Sequence, residues 1–249
     1  MAASAQATEQ EDRLLRWYAE HGRDLPWRRT RDPYAILVSE VMLQQTQVER
    51  VMPRYGAFLA RWPTAAALAA APTAEVIREW QGLGYNRRAL ALQRAARLVA
   101  ATGWPEDLTE LPGVGRYTAD AVRLFALGRQ VLPVDTNVRR VQERTGAAFG
   151  PPSGQALMDL GATVCLARIP RCERCPLAAA CPSRGRRYEP ARKQAPLEGS
   201  FRQRRARTLR LVAQGPCSLA QLDGAAAAAL AGDGLLHIAA GIASLPEDS

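Results

Sequence analysis

Four of the chain's five cysteines, Cys165, Cys172, Cys175 and Cys181, lie within CLARIPRCERCPLAAAC, separated by six, two and five residues. Thiols crowded in this way hold tetrahedral zinc, ligate an iron–sulfur cluster or close disulfides. Zinc modules usually pair two CxxC knuckles, and this loop has one. Cys217 stands apart and reads as structural. Two carboxylates also invite chemistry. Glu40 sits in AILVSEVML, an apolar helical face, where burial is costly unless the carboxyl is paired or its pKa rises. A raised pKa suits a general acid, and a place on the exposed stripe of an amphipathic helix is the alternative. Asp135 follows QVLPV and precedes TNVRRV, a position that fits a helix N-cap. In LPGVGRYTADAV (111–122), Gly113 and Gly115 permit a tight turn just before a helix N-terminus. Backbone N–H groups in such a turn can hold a phosphate without reading a base.

The elements that must carry these residues are helical. EDRLLRWYAEHG, YAILVSEVMLQQTQVERVMPRYGAFLARW, AEVIREW, NRRALALQRAARLVAATG, YTADAVRLFAL and NVRRVQERTG place apolar residues three and four apart, with Pro, Gly and Asp between them. No clean alternation precedes residue 200, so residues 10–185 are predicted to be all-α. The 249 residues suffice for a sizeable core, as one large domain or as two lobes plus an appendage. With 47% hydrophobic and 23% charged residues, the composition excludes a disordered chain. A net charge of +9 favours a polyanionic partner, because cations facing phosphates release condensed counterions. Lys193 is the lone lysine and lies in the linker-like YEPARKQAPLEGS, so Schiff-base chemistry has one candidate. MAASAQATEQ lacks the basic start and apolar stretch of a signal peptide, and the Ala-rich runs are too short to span a bilayer. No membrane partner is expected, and in a cytoplasmic protein disulfides are uncommon.

Taken in order, LPWR (25–28), SEVMLQQTQV (39–48), GLGY (82–85), LPGVGRYTADAV, VDTNVRRV (134–141), QALMDLGATVC (155–165) and the cysteine loop resemble the helix–hairpin–helix base-excision DNA glycosylases. The likeness is strongest to the MutY-type adenine DNA glycosylases and covers about residues 12–185. It implies a glycosylase domain over 11–187, with a six-helix lobe at about 30–132 and a cluster lobe made of the N-terminal helix and about 133–187. It also implies a [4Fe-4S] cluster on Cys165, Cys172, Cys175 and Cys181. Glu40 would protonate adenine, and Asp135 would stabilise an oxocarbenium-like sugar, as paired carboxylates do in glycoside hydrolysis, once the base is flipped from the stack. The same resemblance puts Trp27 and Arg28 beside the base, Gln155 on its edge and Asn137 near the carboxylates. Gln45 and Tyr85 would enter the duplex, while Leu111, Gly113, Gly115 and Arg116 form its hairpin contact. Endonuclease III-type relatives carry a Schiff-base lysine where this chain has Tyr117, which implies a monofunctional glycosylase.

The implied substrate is double-stranded DNA with adenine opposite 8-oxoguanine or guanine, handled by a monomer in the bacterial cytoplasm, at the nucleoid. The alternatives are a thymine, uracil or hypoxanthine mismatch glycosylase of the same superfamily and, outside enzymology, a non-catalytic iron–sulfur DNA-binding protein, against which the intact Glu40 and Asp135 argue. The chain departs from the pattern in a short TGAAFGPPSG connection, in Thr136 where glycine is frequent, and in Asn86 where tyrosine is. No Nudix-like β-rich region, which in the familiar enzymes reads 8-oxoguanine opposite the adenine, is seen before residue 249. Residues 1–10 are expected to be disordered, 188–202 a linker, and 203–249 a small winged-helix-like segment ending in a hairpin. The basic start of that segment either touches DNA or packs as an appendage. Arg171, Arg174, Arg184, Arg186 and Arg187 present positive charge around the cysteine loop.

Overall fold

The computed structural model describes residues 2–189 and 196–247, with side chains from residue 8 onward. In chain order its helices are α1 (Ala2–His21), α2 (Pro33–Leu43), α3 (Val48–Arg61), α4 (Ala65–Ala70), α5 (Thr73–Glu79), α6 (Arg87–Thr102), α7 (Arg116–Phe125), α8 (Thr136–Thr145), α9 (Gly154–Thr163), α10 (Phe201–Gln214) and α11 (Gly224–Gly232). Three short strands, β1 (Cys217–Ser218), β2 (His237–Ala239) and β3 (Ile242–Ser244), form one antiparallel sheet in the order β1-β3-β2. The chain divides into two units, each assembled from two separated stretches: 1–31 with 116–193, and 32–115 with 194–249. The division after Gly115 places α7 with the first unit, where the sequence reading had drawn its boundary near 132. Among the described residues no helix is long and apolar enough to cross a membrane.

In the first unit, Leu14 of α1, Val138 and Val141 of α8, and Leu157 and Leu160 of α9 bury against Leu177 from the cysteine loop. The α8 helix starts at Asp135, whose carboxylate accepts from the Val138 amide at 2.6 Å, and stops at Gly146 in the left-handed conformation. The α8 and α9 helices cross where Gly161 leaves no room for a side chain: a Cβ there would lie 2.6 Å from the Asn137 Cβ. The absence of that one carbon lets the first turn of α8 approach α9. The α9 helix has no counterpart among the periodic stretches read from sequence. Its buried Ala156, Leu157, Leu160 and Gly161 leave it little polar face.

In the second unit, Asp32 caps α2 through the Tyr34 and Ala35 amides, with Pro33 in its first turn. Tyr34 to Met42 are all buried. The sequence periodicity runs unbroken from 34 to 62, yet the chain breaks between α2 and α3, with Gln45 at φ 54°. Periodicity could not mark that break, since apolar residues continue on both sides of it. Residues 201–247 do not form a core alone: Leu209, Val212, Leu230 and Leu236 share one cluster with Ile77 of α5 and Leu90 of α6. Asp233 pairs with Arg205 of α10 at 2.5 Å and with Arg87 of α6 at 3.5 Å. At the N-terminus α1 already begins at Ala2, earlier than the disordered start expected, because Ala, Gln and Glu there are good helix formers. Lys193 and most of the expected linker lie outside the described residues.

Gly161→Ala is expected to destabilise the protein by about 1–3 kcal/mol, the cost of overpacking a close helix crossing. Urea denaturation monitored by circular dichroism measures it.

Candidate functional site

The first unit gathers Trp27, Arg28, Asp135, Asn137, Gln155 and the four cysteines of the loop. The Pro26–Arg28 turn carries Trp27, which is buried. Arg28 is pinned: its two terminal nitrogens donate to the two carboxylate oxygens of Asp159 at 2.8 and 2.7 Å, and one of them also reaches the Arg23 carbonyl. Arg23 adds its own amide and Nε to the same carboxylate. Asp159 is 0% exposed. Burial pushes its carboxyl up, but the bonds from Arg28 and Arg23 outweigh that and hold it below the usual range. Asp159 lies one turn beyond Gln155 on α9, and the Gln155 side chain accepts a hydrogen bond from the Tyr18 hydroxyl at 2.7 Å. Tyr18 lies under the Arg28 guanidinium, 5.6 Å from its ring centre.

A second chain of bonds runs along α8. Asp135 Oδ1 caps the helix, and Oδ2 accepts from the Asn137 amide at 2.9 Å. Asn137 Oδ1 in turn accepts from Arg140 at 2.7 Å, while Arg140 Nε donates to the Cys165 carbonyl at 2.8 Å. Asp135 is therefore tied to the start of the cysteine loop through two side chains, Asn137 and Arg140. Its carboxylate faces amide donors and a helix N-terminus, which complement negative charge.

Arg144, one turn further on, donates to the Leu166 and Ala167 carbonyls at 2.7 Å each and touches the Cys165 sulfur at 3.5 Å, with Tyr188 stacked 3.7 Å away. Its own carbonyl accepts from the Cys181 thiol. Cys165, Cys172, Cys175 and Cys181 line a single cavity with Leu160, Val164 and Pro170. All four are free thiols, and burial pushes that of Cys175 up to about 11. Among the described residues no three His, Cys, Asp or Glu side chains converge closely enough to hold one metal ion. A mononuclear zinc site draws its sulfurs to about 2.3 Å from one centre. Four thiols lining one cavity, with N–H groups directed at the Cys165 and Cys172 sulfurs, are a donor set that suits a thiolate-bound metal or cluster. The loop's Arg171, Arg174, Arg184, Arg186 and Arg187 are all exposed.

In the second unit, Glu40 is 6% exposed on α2. The alternative of an exposed stripe is thereby removed. Gln45 and Tyr85, both with positive φ and both exposed, are held from beneath by Arg88. One terminal nitrogen of Arg88 donates to the carbonyls of Val41, Met42 and Gln44, the last carbonyls of α2; the other reaches Thr46 Oγ1 and the Leu83 and Gly84 carbonyls. Its guanidinium lies 5.5 Å from the ring centres of both Trp80 and Tyr85. Burial lowers its pKa to about 10, opposed by Tyr85, so it stays charged at neutral pH. Gln44 also donates to the Gly113 carbonyl at 3.4 Å. Gly113 has φ 79°, and a Cβ there would stand 2.7 Å from that of Ala91. Gly115 has neither constraint. Leu111 is 2% exposed, its side chain packed beneath the turn. In the first unit Arg116, opening α7, is 94% exposed and Tyr117 is half-buried.

Sequence reasoning missed Tyr18, Arg88, Arg140, Arg144 and Asp159. Asp159 had a signal, since it follows Gln155 by four and so shares its helix face; Arg140 and Arg144 share a face in the same way. Arg88 had none, because NRRAL reads as surface until two loops meet above it.

The sequence over 38–161 matches the family described as HhH-GPD superfamily base excision DNA repair protein. The adenine DNA glycosylase of Mycobacterium tuberculosis is 43% identical, over 84% of this chain and 81% of that protein. That of Mycolicibacterium smegmatis is 49% identical over 66% of each. The human adenine DNA glycosylase is 40% identical over 73% of this chain, which spans 40% of that protein. A solved thermostable thymine-DNA glycosylase superposes with a TM-score of 0.67 at 28% identity, over 74% of this chain and 98% of that one. An endonuclease III–DNA covalent intermediate gives 0.63 over 74% and 97%, and at 23% identity that is a likeness of fold.

Asp159→Ala, which strands two paired guanidinium groups, is expected to cost about 3–5 kcal/mol. Because its carboxyl is held low, its contribution is complete above an unfolded-state pKa near ~4 and is lost as pH falls through the lower folded value. The melting temperature of the parent protein should therefore fall more steeply below about pH 4 than that of Asp159→Asn.

Proposed function

The chain belongs to the HhH-GPD superfamily of base excision DNA repair proteins, and from that membership we propose that it is a monofunctional DNA glycosylase releasing adenine mispaired with 8-oxoguanine or guanine. The observation that carries the reading is the family match over 38–161, which spans Glu40, Tyr117, Asp135 and Gln155. Identities of 43–49% to adenine glycosylases against 28% to the thymine enzyme favour adenine over the pyrimidine alternative.

The chemistry follows from the residues. Adenine leaves poorly as an anion, so an acid must give it a proton as the N-glycosidic bond breaks. Glu40, sheltered from water, takes that part and then helps to orient the attacking water. The bond's electron pair goes to the base and leaves positive charge on the sugar. Asp135, fixed at both oxygens, offsets it. Trp27 and Gln155 receive the flipped base, and Arg28, spent on Asp159, acts by fixing the turn that carries Trp27. With Tyr117 in the position where lysine would form a Schiff base, the product is an abasic site and the strand stays intact.

Duplex DNA is the proposed partner. Gln45 and Tyr85 press on the helix while Gly113, Gly115 and Arg116 hold the backbone, consistent with a charge of +9. The four thiolates of Cys165, Cys172, Cys175 and Cys181 would ligate a [4Fe-4S] cluster, which supplies no step of the reaction and braces the loop that Arg140 and Arg144 grip. The enzyme works as a monomer in the bacterial cytoplasm, at the nucleoid.

Single-turnover assays on duplexes with A opposite 8-oxoguanine, G or C, and with T, U or hypoxanthine opposite G, should release adenine fastest opposite 8-oxoguanine or G. Asp135→Asn should slow that release by about 100-fold or more. Release of pyrimidines or hypoxanthine alone would overturn the adenine assignment. The purified protein should also carry about four iron and four sulfide per chain; stoichiometric zinc without sulfide would replace the cluster assignment.

A further inference from the structure

The Gln155 side chain is engaged at one end. Its Oε1 accepts from the Tyr18 hydroxyl at 2.7 Å, whereas its Nε2 has no partner among the described residues. Tyr18 is itself held firmly. Arg28 lies over its ring and is fixed by Asp159, and Gly22 packs so closely that a Cβ there would sit 2.8 Å from the ring's Cε2. Burial pushes the phenol's pKa up, so it remains a protonated donor through the neutral range. A rigid donor therefore selects one of the two orientations of an amide that would otherwise turn freely.

We propose that Tyr18 is a positioning residue that fixes Gln155 with its carbonyl as the acceptor, and so makes the site prefer a 6-amino purine over a 6-oxo purine. This rests on the reading above, in which Gln155 meets the edge of the flipped base. At the 6-position adenine offers an N–H donor, and hypoxanthine offers an oxygen acceptor in the same place. The second lone pair of Oε1 accepts the amino hydrogen. Against a 6-oxo group the same lone pair faces another, and the pair is repulsive. To welcome the oxo group the amide must turn and present Nε2. Nε2 would then donate to a phenolic oxygen, a poor acceptor because its electrons are delocalised into the ring. The Tyr18 bond is the cost of that turn.

Tyr18→Phe keeps the ring and its stack on Arg28 and removes only the hydroxyl. In single-turnover release from duplexes carrying adenine or hypoxanthine opposite 8-oxoguanine, the ratio of the two rates should fall about fivefold to tenfold toward hypoxanthine, the worth of one hydrogen bond. The control is the Gln155→Glu background, where both side-chain oxygens are acceptors and turning changes nothing. There Tyr18→Phe should leave the ratio unmoved. Equal slowing on both bases, or the same shift of ratio in both backgrounds, would mean that Tyr18 only packs and would overturn the proposal. Failure of the parent enzyme to release adenine would instead overturn the functional reading, and it appears before any variant is made.

Discussion

A carbonyl oxygen buried without a donor costs about 1–3 kcal/mol, and the loops that carry this protein's candidate residues are rich in such oxygens. The chain meets the requirement with guanidinium groups. Arg88 takes three carbonyls from the end of α2 and two from the Gly82–Tyr85 turn; Arg140 takes those of Gly161 and Cys165; and Arg144 takes those of Leu166 and Ala167. A planar fork with five donors can serve several acceptors from one position, which a lysine cannot. The positive φ values at Gln45 and Tyr85 are tolerable because the turns beneath them are held at so many points.

Carboxylates in the same protein are assigned opposite environments. Asp159 is sealed in and fully spent on Arg23 and Arg28, which makes it a structural anchor. Asp135 is half-buried, anchored by the Val138 amide and Asn137, and remains near enough to solvent to meet a substrate. Glu40 is buried on α2, in a run where every residue from Tyr34 to Met42 is buried. The type of residue does not set its role; what surrounds it does.

Much of this was legible beforehand and the remainder was not, for physical reasons. The cysteine spacing, the LPGVG turn and the helical period are local, and each survives in the structure close to where the residues placed it. Glu40 stood out because a charge in an apolar run is a conflict that structure must resolve. The break at Gln45 was hidden, since apolar spacing continues through it. The burial of Leu111 was not legible, because a motif names positions without saying which side chains point inward. The arginine hubs reach acceptors as much as 47 residues away, as Arg88 reaches Val41, and no window along the sequence contains such a pair.

The interleaving of the two units has a consequence for how the protein comes into being. Ile77 and Leu90 are covered by Leu209, Val212 and Leu230, which the ribosome delivers roughly 120 residues after Leu90. At about 5–20 residues per second, an apolar face of the nascent chain waits some seconds, on the order of 6–24, while the second stretch of the first unit is synthesised in between. The first unit can close on itself as soon as its own last stretch emerges. The segment from α10 to β3 is thus a late-arriving latch: a chain released before it would leave that face open, and would pass to chaperones or to aggregation with its helices already formed.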